Sequence, residues 1–138
     1  MRVERDESLS ESFWAVARQL RRASVESLAQ WGITPAQSRA LRVLLRSGSV
    51  RLSELSERLR IAARSTTEVV DDLEGKGMVA RRPDPSDRRA TLVAVTPAGE
   101  ELMRSIQAVQ SSDADRLFSR LSPAEQAQLT RILAKLRQ

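Results

Sequence analysis

Apolar positions along the 138-residue chain recur at two periods, and the change between them outlines the architecture. Leu9, Phe13, Val16 and Leu20 follow at helical spacing and predict a long first helix that fades near Trp31-Gly32. Leu41, Leu44 and Leu45 mark a second helix, ended by Ser47-Gly48-Ser49, and a short third carries Leu55 and Leu59. Ala62, Thr66, Val69, Val70 and Leu73 mark a fourth, closed by Gly75-Lys76-Gly77. The period then shortens. Val79 to Arg82 and Thr91 to Val95 read as strands, so the charged, proline-rich stretch between them is a hairpin tip. Helical spacing returns with Leu102, Ile106 and Val109, and again with Leu129, Ile132, Leu133 and Leu136.

The helix starts are written plainly. Thr34-Pro35-Ala36-Gln37 and Ser122-Pro123-Ala124-Glu125 are capping boxes with proline at the first helical position, where a missing N–H costs nothing. Thr96-Pro97-Ala98-Gly99-Glu100 shares the cap and the proline but lacks a side chain that reaches back. Ser53 is a fourth candidate cap. A short strand around Val50-Arg51-Leu52 would complete a small sheet with the hairpin.

The predicted fold class is therefore mainly α (α+β). A winged helix-turn-helix spans residues 34–96, and helices at residues 1–33 and 97–138 form a second region. Those flanking helices carry apolar stripes with no sheet to cover them. Pairing with a second copy would bury Leu9, Phe13, Val16, Leu129, Ile132, Leu133 and Leu136 and predicts a homodimer; a monomeric helical cap over the winged helix is the alternative.

Composition narrows the chemistry. The chain is 41% hydrophobic and only 3% aromatic, so its core is aliphatic. It has no cysteine and no histidine, which removes disulfides, thiolate sites, the commonest general base and the commonest metal ligand. Asp71, Asp72 and Glu74 are the carboxylates an enzyme would have to use. Asp71 and Glu74 share a helix face, but no partner acid, metal cluster or glycine loop accompanies them, and the face reads as solvated or paired with arginine. No catalytic residue, metal or cofactor is expected. No signal-like or membrane-length apolar run is present, so a cytoplasmic protein without a membrane partner is expected.

The net charge of +5 favours an anionic partner, and its distribution says more than its size. Arg39, Arg42, Arg46, Arg51, Arg58 and Arg60 stand against only Glu54 and Glu57 in residues 31–60. Lys76, Arg81, Arg82, Arg88 and Arg89 then make the hairpin basic, as a wing lying on phosphates requires. Arg64, Ser65, Thr66 and Thr67 open the fourth helix, a set suited to a helix that enters the major groove of double-stranded DNA end-on. The same hydroxyls fit ordinary N-capping by Ser65 or Thr66. At the wing tip, Asp87 stands two residues before Arg89, where it could accept guanidinium hydrogen bonds and aim the arginine at a narrow minor groove, leaving Arg88 for a phosphate. A solvated charged turn is the plain alternative.

The run Glu68-Val69-Val70-Asp71-Asp72-Leu73-Glu74-Gly75-Lys76-Gly77-Met78-Val79, followed by Arg81-Arg82, Asp84-Pro85, Asp87-Arg88-Arg89 and Leu92-Val93-Ala94-Val95-Thr96-Pro97-Ala98-Gly99, resembles the multiple-antibiotic-resistance-regulator (MarR) family. The similarity covers nearly the whole chain, with Met78 and Val95 replacing the family's usual leucines. It implies a homodimeric bacterial repressor, less often an activator, on a pseudo-palindromic operator. Residues 64–67 would take the reading positions and Asp87 and Arg89 the D-x-R wing tip. It also implies release by a small aromatic or anionic effector bound between the dimer helices and the winged helix. Trp14 and Trp31 are candidates to line that pocket, or else anchors in the helical core. Glu68 departs from the family, which often carries arginine or another polar residue there: it reads cytosine, pairs with a nearby arginine, or faces away. A protein that coats DNA without sequence preference is the competing function. Competition with unrelated DNA separates the two, since a regulator prefers its site by at least about a thousandfold.

Overall fold

The computed structural model describes residues 7–137; residues 1–6 and 138 of the predicted helical region lie outside the described set. The order is α1 (Leu9–Ala29), α2 (Pro35–Ser47), β1 (Val50–Arg51), α3 (Leu52–Leu59), α4 (Ala63–Gly75), β2 (Val79–Asp84), β3 (Asp87–Val95), α5 (Pro97–Phe118) and α6 (Pro123–Leu136). The strands form an antiparallel sheet in the order β1-β3-β2. This is the winged helix that the periodicity predicts.

Both capping boxes form. Thr34 Oγ1 accepts from the Gln37 N–H at 3.2 Å while Gln37 Oε1 accepts from the Thr34 N–H at 3.1 Å. Ser122 and Glu125 repeat the exchange at 3.2 and 3.0 Å. Two other expected caps do not form. α3 follows β1 with no linker, so Arg51, still paired in the sheet, occupies the N-cap position and Ser53 lies inside the helix. α4 starts at Ala63, which puts Ser65 and Thr66 in its first turn and leaves Ala62, with no side-chain acceptor, at the N-cap.

The chain divides into two compact units, and one is the winged helix with more of its neighbours than the sequence suggests. It runs from Val25 to Ala108, because Leu28 at the end of α1 and Met103 and Ile106 on α5 are buried in the same cluster as Leu41, Leu55 and Val93. The other unit holds the earlier part of α1, the later part of α5 and α6. Within it Gln110 Nε2 donates to Ser24 Oγ at 2.7 Å, and the Gln126 amide caps the α5–α6 turn on the Phe118 and Leu121 carbonyls. No described residue of that unit is buried.

The missing back-reaching side chain at Gly99 has a steric cause. Thr96 Oγ1 accepts from the Gly99 N–H at 3.1 Å and donates to the Gly77 carbonyl at 2.6 Å, while the Thr96 N–H donates to the Met78 carbonyl at 3.0 Å. This draws the first turn of α5 onto the α4–β2 turn so closely that a Cβ on Gly99 would lie 2.2 Å from the Met78 backbone oxygen. The nearest atom is backbone and cannot swing aside, and Val95 Cγ1 at 2.7 Å crowds the same position. Gly99→Ala is expected to destabilise by roughly 3 kcal/mol or more, lowering Tm by about 10 °C; an unchanged melting curve would contradict the close approach.

The wing is a hairpin turned at Pro85-Ser86. A two-residue hairpin turn matches strand twist best with positive φ, which proline cannot adopt and which no residue of the tip shows. The mismatch is absorbed by an irregularity: Pro83 pairs with Thr91 and Asp84 with Asp87, so Arg88, Arg89 and Ala90 have no opposing residues. Pro83 is tolerated because β2 is an edge strand. Asp84, almost fully buried, closes the turn by accepting from the Ser86 N–H at 2.9 Å and the Ser86 hydroxyl at 2.7 Å, and it pairs with Arg51 Nε at 2.8 Å.

The Ser86 hydrogen bonds, with Arg51 adding to them, hold the Asp84 carboxyl below its ordinary range. A carboxyl lowered in the folded wing stabilises it fully above the unfolded value of about 4. That contribution is lost as pH falls through the lowered native value. An NMR titration of the Asp84 carboxyl carbon is expected to give a midpoint below 3.8, with the Ser86 amide losing exchange protection over the same range. A midpoint at or above the ordinary value would contradict the turn chemistry.

Candidate nucleic-acid interface

The turn between α3 and α4 sets how α4 is offered. Arg60 takes the left-handed conformation at φ 54°, an arrangement that costs a non-glycine residue about 1–2 kcal/mol. It is held there from both sides. The Arg60 N–H donates to the Glu57 carbonyl at 3.2 Å, and Ser56 Oγ donates to the Ile61 carbonyl at 3.3 Å. Ser56 and Thr66 hydroxyls also meet at 2.8 Å, bonding α3 to α4 inside the core.

Thr66 is thereby removed from the reading set. It is completely buried beside Val70 and Leu73, with its hydroxyl also bonded to the Ala62 carbonyl at 3.2 Å, so it cannot meet a base. Thr67 is half-buried and turns its hydroxyl back to the Ala63 carbonyl at 3.0 Å. Arg64 and Ser65 are the two presented to solvent, Arg64 with its side chain 92% exposed. Glu68 stands one turn further along, its carboxylate 3.7 Å from Arg64 Nε. That choice among its three expected roles, pairing with a nearby arginine, is an exposed contact worth about 0–1 kcal/mol, loose enough to exchange for another partner.

At the wing, Arg88 and Arg89 are exposed and lie in the unpaired part of β3. Asp87 does not hold the Arg89 guanidinium as its spacing suggested. Its Oδ1 accepts from the Arg89 backbone N–H at 3.0 Å, since the irregular backbone leaves that donor without a ladder partner. The aspartate therefore shapes the backbone that carries the arginine, and the guanidinium stays free.

The other two hairpin arginines are committed elsewhere. Arg81 is clamped to α4. Nη1 donates to Glu74 Oε1 at 3.0 Å, Nη2 donates to Asp71, and the Arg81 backbone N–H donates to Glu74 Oε2 at 3.1 Å. Its partial burial would lower its pKa most, but the hydrogen bonds from Asp71 and Glu74 reverse that and raise it. Arg82 projects from the opposite side of β2 and donates to Ser49 Oγ at 3.1 Å. Lys76 is likewise occupied: it pairs with Asp72 at 2.8 Å, holding that carboxyl below its usual range, and donates to the Gly32 carbonyl at 2.6 Å. Asp71, Asp72 and Glu74 are thus each matched to a cation, and the carboxylate face that an enzyme would need is a set of ion pairs. Among the described residues, no three of Asp and Glu come together as a metal site, and no helix is long and apolar enough to cross a membrane.

The exposed basic surface of the winged-helix unit includes Arg64, loosely paired with Glu68, together with Arg88 and Arg89 and, along one side of α2, Arg39, Arg42 and Arg46. Sequence reasoning missed the work of Arg51 and Ser56. Asp84-Pro85-Ser86 carries a readable Asx-turn signal, but Arg51 lies 33 residues from its partner and no local pattern names it. The two tryptophans each have a place within their own unit. Trp31 packs on the winged-helix core, and Trp14 is exposed with its ring edge-on to Phe13 at 5.7 Å.

The MarR family model matches residues 33–91. An uncharacterized HTH-type transcriptional regulator of Bacillus subtilis, YkoM, is 31% identical over 96% of this chain and 86% of its own length. The HTH-type transcriptional repressor MdtR of the same organism is 32% identical over 92% of this chain and 82% of its own. The crystal structure of Bacillus subtilis YusO superposes with a TM-score of 0.85 at 30% identity, covering 94% of this chain and 92% of that one. Likeness of this extent, over both units and the wing, shows that the chain belongs to the MarR family of DNA-binding helix-turn-helix transcriptional regulators, which are not enzymes.

Proposed function

We propose that the protein is a homodimeric repressor of a pseudo-palindromic operator, with Arg64 and Ser65 at a major groove and Arg89 in the minor groove beside it. One observation carries this reading: in a single compact unit, α4 offers an uncapped N-terminus with an exposed arginine, and the wing offers Arg88 and Arg89 on a backbone without ladder partners. An uncapped helix start points unsatisfied N–H groups and the positive end of the dipole at phosphate. A repressor is favoured because MdtR is one.

The dimer is supported by the flanking unit. Leu9, Phe13, Val16, Ile132 and Leu136 are exposed there, an apolar set that water disfavours and a second copy would cover, with the half-exposed Leu129 and Leu133 beside them. Release by a small aromatic or anionic compound belongs to the same proposal through the family likeness. Trp14 is the indole with a free face for it, while Trp31 is engaged by the core.

Sedimentation is expected to show a dimer, and Phe13→Asp with Ile132→Asp is expected to give a folded monomer; a parent chain that sediments as a monomer would contradict the assembly. From a randomised library the protein is expected to select a two-fold-related duplex and to prefer it over unrelated DNA by about a thousandfold or more. Arg89→Ala is expected to weaken that complex by about 1–3 kcal/mol. Equal affinity for all sequences, or no loss with Arg89→Ala, would overturn the reading.

A further inference from the structure

Among the described residues, every hydrogen bond and ion pair between α4 and the two wing strands runs through one residue, Arg81. Its other constraints are local to the sheet, where it pairs with Val93 on the side that carries the buried Val79. Glu74 grips it twice, once at the guanidinium and once at the backbone N–H, so that side chain and strand are fixed together. Asp71 takes the remaining arm and lies on the same exposed face of α4 as Arg64 and Glu68. The opposite side of the hairpin is tied to β1 and its approach, through Arg51–Asp84 and Arg82–Ser49. The wing is thus braced from two sides, and Arg81 is the brace to α4.

Resting on the proposed DNA reading, we infer that Arg81 is a positioning residue that fixes the wing's angle to α4 and so sets discrimination between operator and other DNA, and that it is not a phosphate ligand. Two features support this. The Arg81 side chain is three-quarters covered and its guanidinium faces two carboxylates that are themselves exposed, so a phosphate reaching it would meet Asp71 and Glu74 first. The lever is also long. Four residues of extended strand separate Arg81 from the tip, roughly 13 Å, so a tilt of about 10° at the clamp moves the tip by about 2 Å. Reading of a groove by a held side chain tolerates roughly 0.5 Å. Non-specific attraction to phosphates, which depends on charge more than on angle, should survive such a tilt.

The two roles for Arg81 make opposite predictions for its acids. Asp71→Asn combined with Glu74→Gln removes two negative charges. If Arg81 were a phosphate ligand, this would free it and tighten binding to any duplex. If Arg81 positions the wing, affinity for the library-selected duplex falls by about tenfold or more while affinity for unrelated duplex is unchanged or rises. Arg81→Ala is expected to give the same loss, not added to that of the acid variant, with the slope of log K against log salt unchanged; a lost phosphate contact would reduce it by about 1. Arg81→Lys, which keeps the charge without the fork, is expected to behave as Arg81→Ala.

A DNA-free readout keeps the two levels apart. The chain has no cysteine, so spin labels can be placed at Ala63→Cys and Pro85→Cys, with labelled chain diluted into unlabelled. The distance distribution is expected to be narrow in the otherwise unchanged chain and to broaden with Asp71→Asn and Glu74→Gln. A distribution that stays narrow, or operator binding that tightens in the acid variant, overturns the positioning role. A chain that selects no duplex sinks the regulator reading and the specificity half of this one, while the label distances still decide whether the clamp holds the wing.

Discussion

What α4 can offer to DNA follows from what its other face must bury. Thr66, Val70 and Leu73 are sealed into the core at helical spacing, and each fully buried aliphatic side chain there is worth about 1.5–3 kcal/mol. That burial fixes the rotation of the helix about its own axis. Arg64 and Ser65 are turned outward because Thr66 is turned inward, and the Ser56–Thr66 hydroxyl bond fixes the helix against α3 as well. The proposed reading surface is in this sense the complement of the packing surface.

The wing depends on the same logic in a harder setting, since a hairpin exposes most of its side chains and has little to bury. Its order comes from polar ties. Asp84 closes the turn on Ser86 and reaches Arg51 on the far strand of the sheet; Arg81 holds the near strand to α4; Thr96 and Gly99 pin the base, where the chain leaves β3. Two arginines at the tip are left free by these arrangements because every other cation near the hairpin base already has a partner. The strand that carries them is irregular because a proline-built turn cannot supply the twist, and the slack appears as Arg88, Arg89 and Ala90.

Much of this was legible in the order of the residues. The helices, both capping boxes, the switch to strands and the hairpin follow from period and punctuation, which are local properties, and the extent of the strands was merely underestimated: they continue to Asp84 and begin at Asp87. The candidate site was legible by residue type and less so by the contacts its residues make. Thr66 shows both an apolar-face position and a polar label, and packing decided for the face. Arg81 and Arg82 look like free positive charge, yet their partners lie on α4 and before β1, distances along the chain at which charge counting is blind. Asp87 has the right spacing for its arginine and bonds the backbone instead, because only the folded strand reveals that this N–H lacks a ladder partner. The extra reach of the winged-helix unit, out to Val25 and Ala108, was hidden for a similar reason: α1 and α5 each run on past the core that they help to build, and their periodicity does not change where that burial stops.

The central claim is that α4 enters the major groove by its N-terminus while the wing lies in the neighbouring minor groove, and a cleavage reagent attached to a single introduced cysteine tests it most directly. With the reagent at Ser65→Cys, strand scission on the selected duplex should fall in two major-groove clusters related by two-fold symmetry, about one helical turn of 34–36 Å apart or a multiple of it. With the reagent at Arg88→Cys, scission should move to the flanking minor grooves. Cleavage spread evenly along the duplex from both positions, or scission from the wing in the same groove as from α4, would contradict it.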